Sequence, residues 1–138
     1  MSAHDSIHDP VVRALQKDGW TVTHDPLTLE FGDLYLFVDV GAERALAAER
    51  GSERIAVEVK SFTNKSKVAD LQQAVGQYAV YRSVLRRVEP GRTLYLAVPS
   101  EAYNGVFSSQ VGEAVRADFG VQLVVVDVAA EEVISWIT

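Results

Sequence analysis

Two apolar runs, Ile55-Ala56-Val57-Glu58-Val59 and Thr93-Leu94-Tyr95-Leu96-Ala97-Val98, stand on either side of a helix-length amphipathic segment. Within that segment Leu71, Val75, Tyr78 and Leu85 recur at helical spacing. Thr63-Asn64-Lys65-Ser66 leads into it and Pro90-Gly91 stops it. Two buried-type strands joined by one helix return to the same sheet through a right-handed crossover, which pairs them in parallel. A βαβ unit is therefore expected at the centre of the chain.

The flanking segments are shorter. A first helix begins at Asp9-Pro10, or earlier at Asp5-Ser6, carries Val11, Val12 and Leu15 on one face, and ends at Gly19. Trp20 to Thr23 reads as a short strand halted at Asp25-Pro26. Leu27 to Phe31 and Leu34 to Val40 read as a hairpin turning at Gly32-Asp33. After Gly41, residues 42–49 are rich in Ala, Leu and Glu, which also suit a helix. They are assigned to a strand because Arg50-Gly51-Ser52-Glu53 is a turn leading straight into Ile55. Ser100 to Phe119 is expected to be largely helical, weakened at Gly105 and Gly112 and closed by Gly120. Val121 to Val128 and Val133 to Ile137 supply two last strands, the second at an edge. The predicted fold class is α/β (α+β): one domain over residues 1–138, with a mixed β-sheet flanked by helices.

Composition narrows the function classes. A chain of 138 residues suffices for one core that buries roughly two thirds of the unfolded surface. There is no cysteine, so disulfides, thiolate metal sites and cysteine nucleophiles are excluded, and a reducing cytoplasmic location is expected. No basic and apolar leader pattern opens the sequence, and no run approaches the ~20 apolar residues of a membrane span. The net charge of −6 argues against non-specific coating of nucleic acid. Charge is nevertheless segregated, with seven basic residues against two acids between Lys60 and Arg92. That segment is read as a basic face open to phosphates or to an acidic protein, or as a solvated helix surface.

The first apolar run is interrupted by Glu58 and Lys60. On a strand they project from one face while Val57 and Val59 bury on the other. A carboxylate for a divalent cation beside a lysine that orients water is a phosphodiester-cutting pair, although the tripeptide alone better suits a half-exposed strand with a cross-face ion pair. A second acid is sought on the preceding strand. If the turn is centred on Gly51-Ser52, Ala45 falls opposite Glu58 and Glu43 opposite Lys60, which makes Glu43 the leading partner. Glu49 has the right parity but sits too far along the strand. Asp39 is second, brought in only by a bend at Gly41.

On the following helix Gln73, Gln77 and Tyr81 form a stripe beside the apolar face, able to hydrogen-bond a phosphate, a water or the Lys60 region. Lys65, Lys67, Tyr81 and Arg82 are candidate substrate contacts within the basic segment. The histidines His4, His8 and His24 are read as surface residues rather than a zinc set, with His8-Asp9 the pair that could approach the site from the first helix. No G-x-S-x-G, P-loop or G-x-G-x-x-G pattern is present, which disfavours acyl transfer and nucleotide binding.

Taken together, these features resemble the PD-(D/E)XK restriction-endonuclease-like superfamily, and the Gln77 to Tyr81 spacing is similar to the Q-x-x-x-Y helix of its exonuclease-type branch. More specifically, nearly the whole chain resembles the XisH family, the fdxN element excision controlling factors. The residues carrying that likeness are Lys17-Asp18-Gly19-Trp20, His24-Asp25-Pro26, Asp39-Val40-Gly41-Ala42-Glu43, Ala47-Ala48-Glu49, Ile55 to Phe62, Gly76-Gln77-Tyr78 and Thr93 to Pro99. The resemblance implies an endonuclease-like fold and control of the excision of a DNA element. It further implies an XisI-type companion protein, with DNA and self-association open as further partners and no membrane. Two functions follow from it. In one, Glu43 or Asp39 with Glu58 holds Mg²⁺ or Mn²⁺, Lys60 positions water, Gln77 assists, and DNA is cut. In the other, the fold is a regulatory DNA- or protein-binding module without chemistry.

Overall fold

A computed structural model describes residues 4–46 and 51–138. The chain runs α1 (His8–Lys17), β1 (Thr21–His24), β2 (Leu27–Phe31), β3 (Leu34–Val38), β4 (Val40–Ala45), β5 (Ser52–Val59), α2 (Lys67–Val88) and β6 (Arg92–Pro99). It continues with α3 (Ser100–Asn104), a 3-10 turn (Val106–Ser108), α4 (Gln110–Phe119), β7 (Leu123–Asp127) and β8 (Glu132–Ile137). Six strands form one mixed sheet in the order β1-β4-β5-β6-β7-β8, and β2-β3 form a separate hairpin. The strands β5 and β6 pair in parallel across α2, as the sequence pattern requires, and β6 and β7 are also parallel. The outer pairs are antiparallel. Among the described residues, no helix is long and apolar enough to cross a membrane.

Strand alternation divides the interior into two cores. Ala56, Leu94, Leu96, Val98, Leu123 and Val125 face α2, where they meet Leu71, Ala74, Tyr78 and Leu85. Their neighbours Ile55, Val57, Val59, Ala97, Val124 and Val126 face α1 and pack on Val11, Ala14 and Leu15. Burial on both sides explains why β5, β6 and β7 read as nearly unbroken apolar runs. The β2-β3 hairpin adds Leu27, Leu29 and Val38 to the α2 side. Ser66 caps α2 by accepting a hydrogen bond from the Ala69 amide at 3.1 Å, a contact worth about 1 kcal/mol in comparable helices.

Two expectations are corrected. The first helix starts at His8, between the two options: the Asp5 carboxylate accepts from the Ile7 amide at 3.1 Å, and Asp9-Pro10 lies inside the first turn. The segment after Ser100 is largely helical, as expected, and is interrupted at Gly105 and Ser109, where Gly112 lies against the backbone of Val106 and Phe107 and the chain turns between α3 and α4.

The second correction concerns the hairpin before β5. β4 ends at Ala45, and the Leu46 amide donates to the Gly51 carbonyl at 2.9 Å to close the connection, with Ser52 and Glu53 already in β5. Its midpoint therefore comes about three residues before the Gly51-Ser52 centre that the sequence suggested. Residues 47–50, including Glu49 and Arg50 of the expected strand and turn, lie outside the described residues.

Candidate metal centre

Glu58 occupies the last position of β5 that faces α2, at the carboxyl end of a central strand, where open α/β sheets usually place their ligands. The observed ladder sets Val40 opposite Val57, Ala42 opposite Ile55, Glu43 opposite Arg54 and Ala45 opposite Ser52. Continuing that register by one residue puts Asp39 beside Glu58. The Asp39 amide donates to Glu58 Oε1 at 3.2 Å, and the Val59 amide donates to Asp39 Oδ2 at 2.8 Å. Asp39 reaches this place because it is the residue at which the chain leaves the β2-β3 hairpin and enters the main sheet, between Val38 in one core and Val40 in the other.

Glu43, the leading candidate on the assumed turn, is four residues further along β4, about 13 Å at ~3.3 Å per residue. It is too distant to share an ion with Glu58. The cross-strand ion pair of Arg44 and Glu53, at 3.0 Å, belongs to the true register. No bend at Gly41 is needed, since Asp39 lies at the sheet-to-sheet crossing itself.

A cavity of about 230 Å³ opens over the two acids, and Lys60, Gln73, Gln77 and Tyr81 also line it. The helical stripe read from the sequence thus faces this cavity, while Leu71, Ala74 and Tyr78 pack in the core beside it. The Lys60 ammonium donates to Gln73 Oε1 and lies 3.9 Å from Asp70 Oδ1. Asp70 is itself buried and accepts from the Asn64 amide at 2.9 Å, so it ties the loop after β5 to the start of α2. The remaining wall comes from Phe37 and from Asp5, whose Oδ2 accepts from the Ser61 amide at 3.0 Å. Neither Asp5 nor Asp70 was singled out as a site residue in the sequence. An acid at the entrance of the first helix gives no local sign that it meets a strand end 56 residues away.

The electrostatics of the cavity are set by burial. Glu58 is pushed up to about 9, first by loss of solvent and then by the negative charge of the adjacent Asp39, with Lys60 opposing the shift. A buried and a half-buried acid side by side form a hard-oxygen donor pair that a divalent cation would satisfy in place of the Glu58 proton. Tyr81 is pushed up to about 12 by burial and by both acids, so its hydroxyl stays a donor at neutral pH.

The other basic candidates lie elsewhere. Lys67 donates to the carbonyls of Phe62 and Asn64 at 2.7 and 2.9 Å, which makes it a clamp on the loop after β5. Arg82 donates to the Phe119 carbonyl at the end of α4 and does not line the cavity. Lys65 is exposed on the loop between Lys60 and α2. The histidines also differ from the sequence reading, since His8 is buried and His4 and His8 stand one helical turn apart in sequence.

The sheet and cavity define a class: a small α/β domain whose mixed sheet presents two acids, a lysine and a glutamine beneath its crossover helix. The particular family follows from comparison. Residues 1–134 match the family described as XisH protein, and the chain belongs to the XisH family. The crystal structure of an XisH family protein from Nostoc punctiforme PCC 73102 is similar, with 40% identity over 97% of this chain and 100% of that one and a TM-score of 0.87. That of a fdxN element excision controlling factor protein from Anabaena variabilis has 40% identity over 98% and 100%, with a TM-score of 0.88. Among curated proteins, none is significantly similar.

Proposed function

We propose that the protein is a DNA-element excision controlling factor that hydrolyses phosphodiester bonds with a divalent cation, Mg²⁺ or Mn²⁺, held by Asp39 and Glu58. The observation that carries this reading is the pairing of those two acids across adjacent strands in a cavity that also receives Lys60. The arrangement accords with a PD-(D/E)XK-type nuclease in which Asp39 is the first acid. When bound, the cation would neutralise phosphate charge and polarise a phosphoryl oxygen. Lys60, held by Gln73 and Asp70, orients the attacking water and steadies negative charge as it develops. Gln77 and Tyr81 direct hydrogen-bond donors at phosphate oxygens, and the exposed Lys65 offers a backbone contact. The test is incubation of supercoiled and linear DNA with Mn²⁺ or Mg²⁺, alone and with an XisI-type companion. Nicking or cutting that disappears in Lys60→Ala supports the reading. Metal binding without cleavage under any of these conditions rejects it.

A second reading is favoured by the β2-β3 hairpin, where Phe31 and Leu34 are exposed at the tip and Tyr35 and Phe37 on the face opposite Leu27, Leu29 and Val38. Several large apolar side chains left exposed on one hairpin suit contact with a protein. In this reading the hairpin docks the XisI-type companion and the domain regulates without chemistry. Loss of the complex in Tyr35→Glu, with metal binding unchanged, would support it.

A further inference from the structure

The N-terminal segment builds a second polar cluster beside the carboxylate cavity. The rings of His4 and His8 stack with centroids 3.8 Å apart and planes 13° from parallel. One ring nitrogen from each and a carboxylate oxygen of Asp9 lie within 4.8 Å of one another. His8 is only 1% exposed, and its Nε2 is 2.8 Å from Asp25 Oδ1. Its other nitrogen, Nδ1, is buried and has no hydrogen-bond partner among the described residues.

The protonation pattern follows from these contacts. A neutral imidazole has one donor and one acceptor nitrogen, and an ionised carboxylate only accepts. Asp25 therefore fixes the His8 proton on Nε2, which leaves Nδ1 as a bare lone pair directed away from Asp25. A histidine held on one nitrogen by a carboxylate and bare on the other is the usual form of a metal-ligating imidazole. Burial without a partner is costly for that nitrogen, and a cation would satisfy it.

We propose that His4, His8 and Asp9 form a second cation site, selective for an imidazole-preferring metal of the Zn²⁺ or Co²⁺ class, with Asp25 as the outer carboxylate. Two imidazoles and one carboxylate are a common three-ligand set for zinc, whereas Mg²⁺ prefers oxygen donors. The in-plane lone pairs of nearly parallel rings run side by side, so ligation turns His4 out of the stack. Its side chain, 58% exposed, has room to move. The consequence reaches the cavity. Asp5 lies between the two histidines in sequence, and it joins the Ile7 amide to the Ser61 amide at the cavity wall. An ion at His4 and His8 would hold in place the segment that carries Asp5.

The test is Co²⁺ titration of the tag-free full chain, read by visible d–d absorption, in a Glu58→Gln background that weakens the carboxylate centre. One equivalent of Co²⁺ with four-coordinate bands is expected, displaced by Zn²⁺ and not by Mg²⁺. Asp25→Asn should weaken the affinity by about tenfold or more, as for other outer-sphere partners of metal-bound histidine. His4→Ala alters an exposed side chain, and circular dichroism verifies that it folds; it should abolish the bands. Absence of Co²⁺ binding in the Glu58→Gln protein, or spectra and affinity unchanged by His4→Ala, would overturn the proposal.

Discussion

Glu58 accepts a hydrogen bond from the amide of Asp39 at 3.2 Å, while the Asp39 carboxylate accepts one from the amide next to Glu58 at 2.8 Å. Each acid is thus fixed by the other's strand, and both carboxyl groups line one cavity. This reciprocal tie gives the first prediction. Mn²⁺ affinity, measured by calorimetry, should fall by about tenfold or more in Asp39→Asn and in Glu58→Gln, because either change removes a charged oxygen ligand. Glu43→Ala should leave it within about twofold, since Glu43 stands opposite Arg54 rather than at the cavity. Equal losses in Glu43→Ala and Asp39→Asn would contradict the observed register.

The second prediction concerns pH. The Glu58 carboxyl is raised on folding from the ordinary 4.5 to about 9, so between these values the folded chain holds a proton that the unfolded chain releases. Without metal, the contribution of Glu58 to stability is fully present below the lower value and is lost as pH rises towards the upper one. Chemical denaturation across that window should show this decline, and Glu58→Gln should flatten it. Mn²⁺ competes with the same proton, so its affinity should rise with pH over the window. Calorimetry in buffers of different ionisation enthalpy should detect about one proton released per ion.

Lysine chemistry gives the third. If Lys60 orients the nucleophile, Lys60→Ala should lower DNA cleavage by about 10²-fold or more, the usual size of a positioned proton-handling group. Mn²⁺ binding should be retained or slightly tightened, because a neighbouring positive charge has been removed. Gln73→Ala, which frees the ammonium of one anchor, should show a smaller loss of the same kind. A parallel fall in metal affinity would indicate that Lys60 matters for folding of the cavity instead.

Two glycines provide a contrast in stability. A Cβ at Gly112 would lie 2.0 Å from the Val106 carbonyl oxygen and 2.7 Å from the Phe107 Cα, so Gly112→Ala should cost about 3 kcal/mol. At Gly76, within α2, a Cβ meets nothing within 4 Å, and Gly76→Ala should gain about 1 kcal/mol through helix propensity. Thermal denaturation should move the two variants in opposite directions.

Local periodicity already carries much of this molecule. The βαβ unit was legible because strands buried on both faces must be apolar throughout, and because α2 spaces Leu71, Tyr78 and Leu85 on one side. The same periodicity placed Gln73, Gln77 and Tyr81 together, and a helix of known pitch keeps that promise wherever it docks. Hairpin register has no such guarantee. It depends on where the connection closes, and an error of three residues in the turn centre exchanged Asp39 for Glu43 as the neighbour of Glu58.

The sequence by itself determined the order of elements, the parallel centre of the sheet and the helix face turned toward Glu58 and Lys60, all through spacings of a few residues. Only the tertiary structure decided that Asp39 stands beside Glu58, that Asp5 joins the cavity wall, and that Asp25 holds His8. These are meetings between side chains and strands far apart in the chain. They are fixed by how the hairpin enters the sheet and by where α1 packs, and neither leaves a periodic trace in the residues concerned.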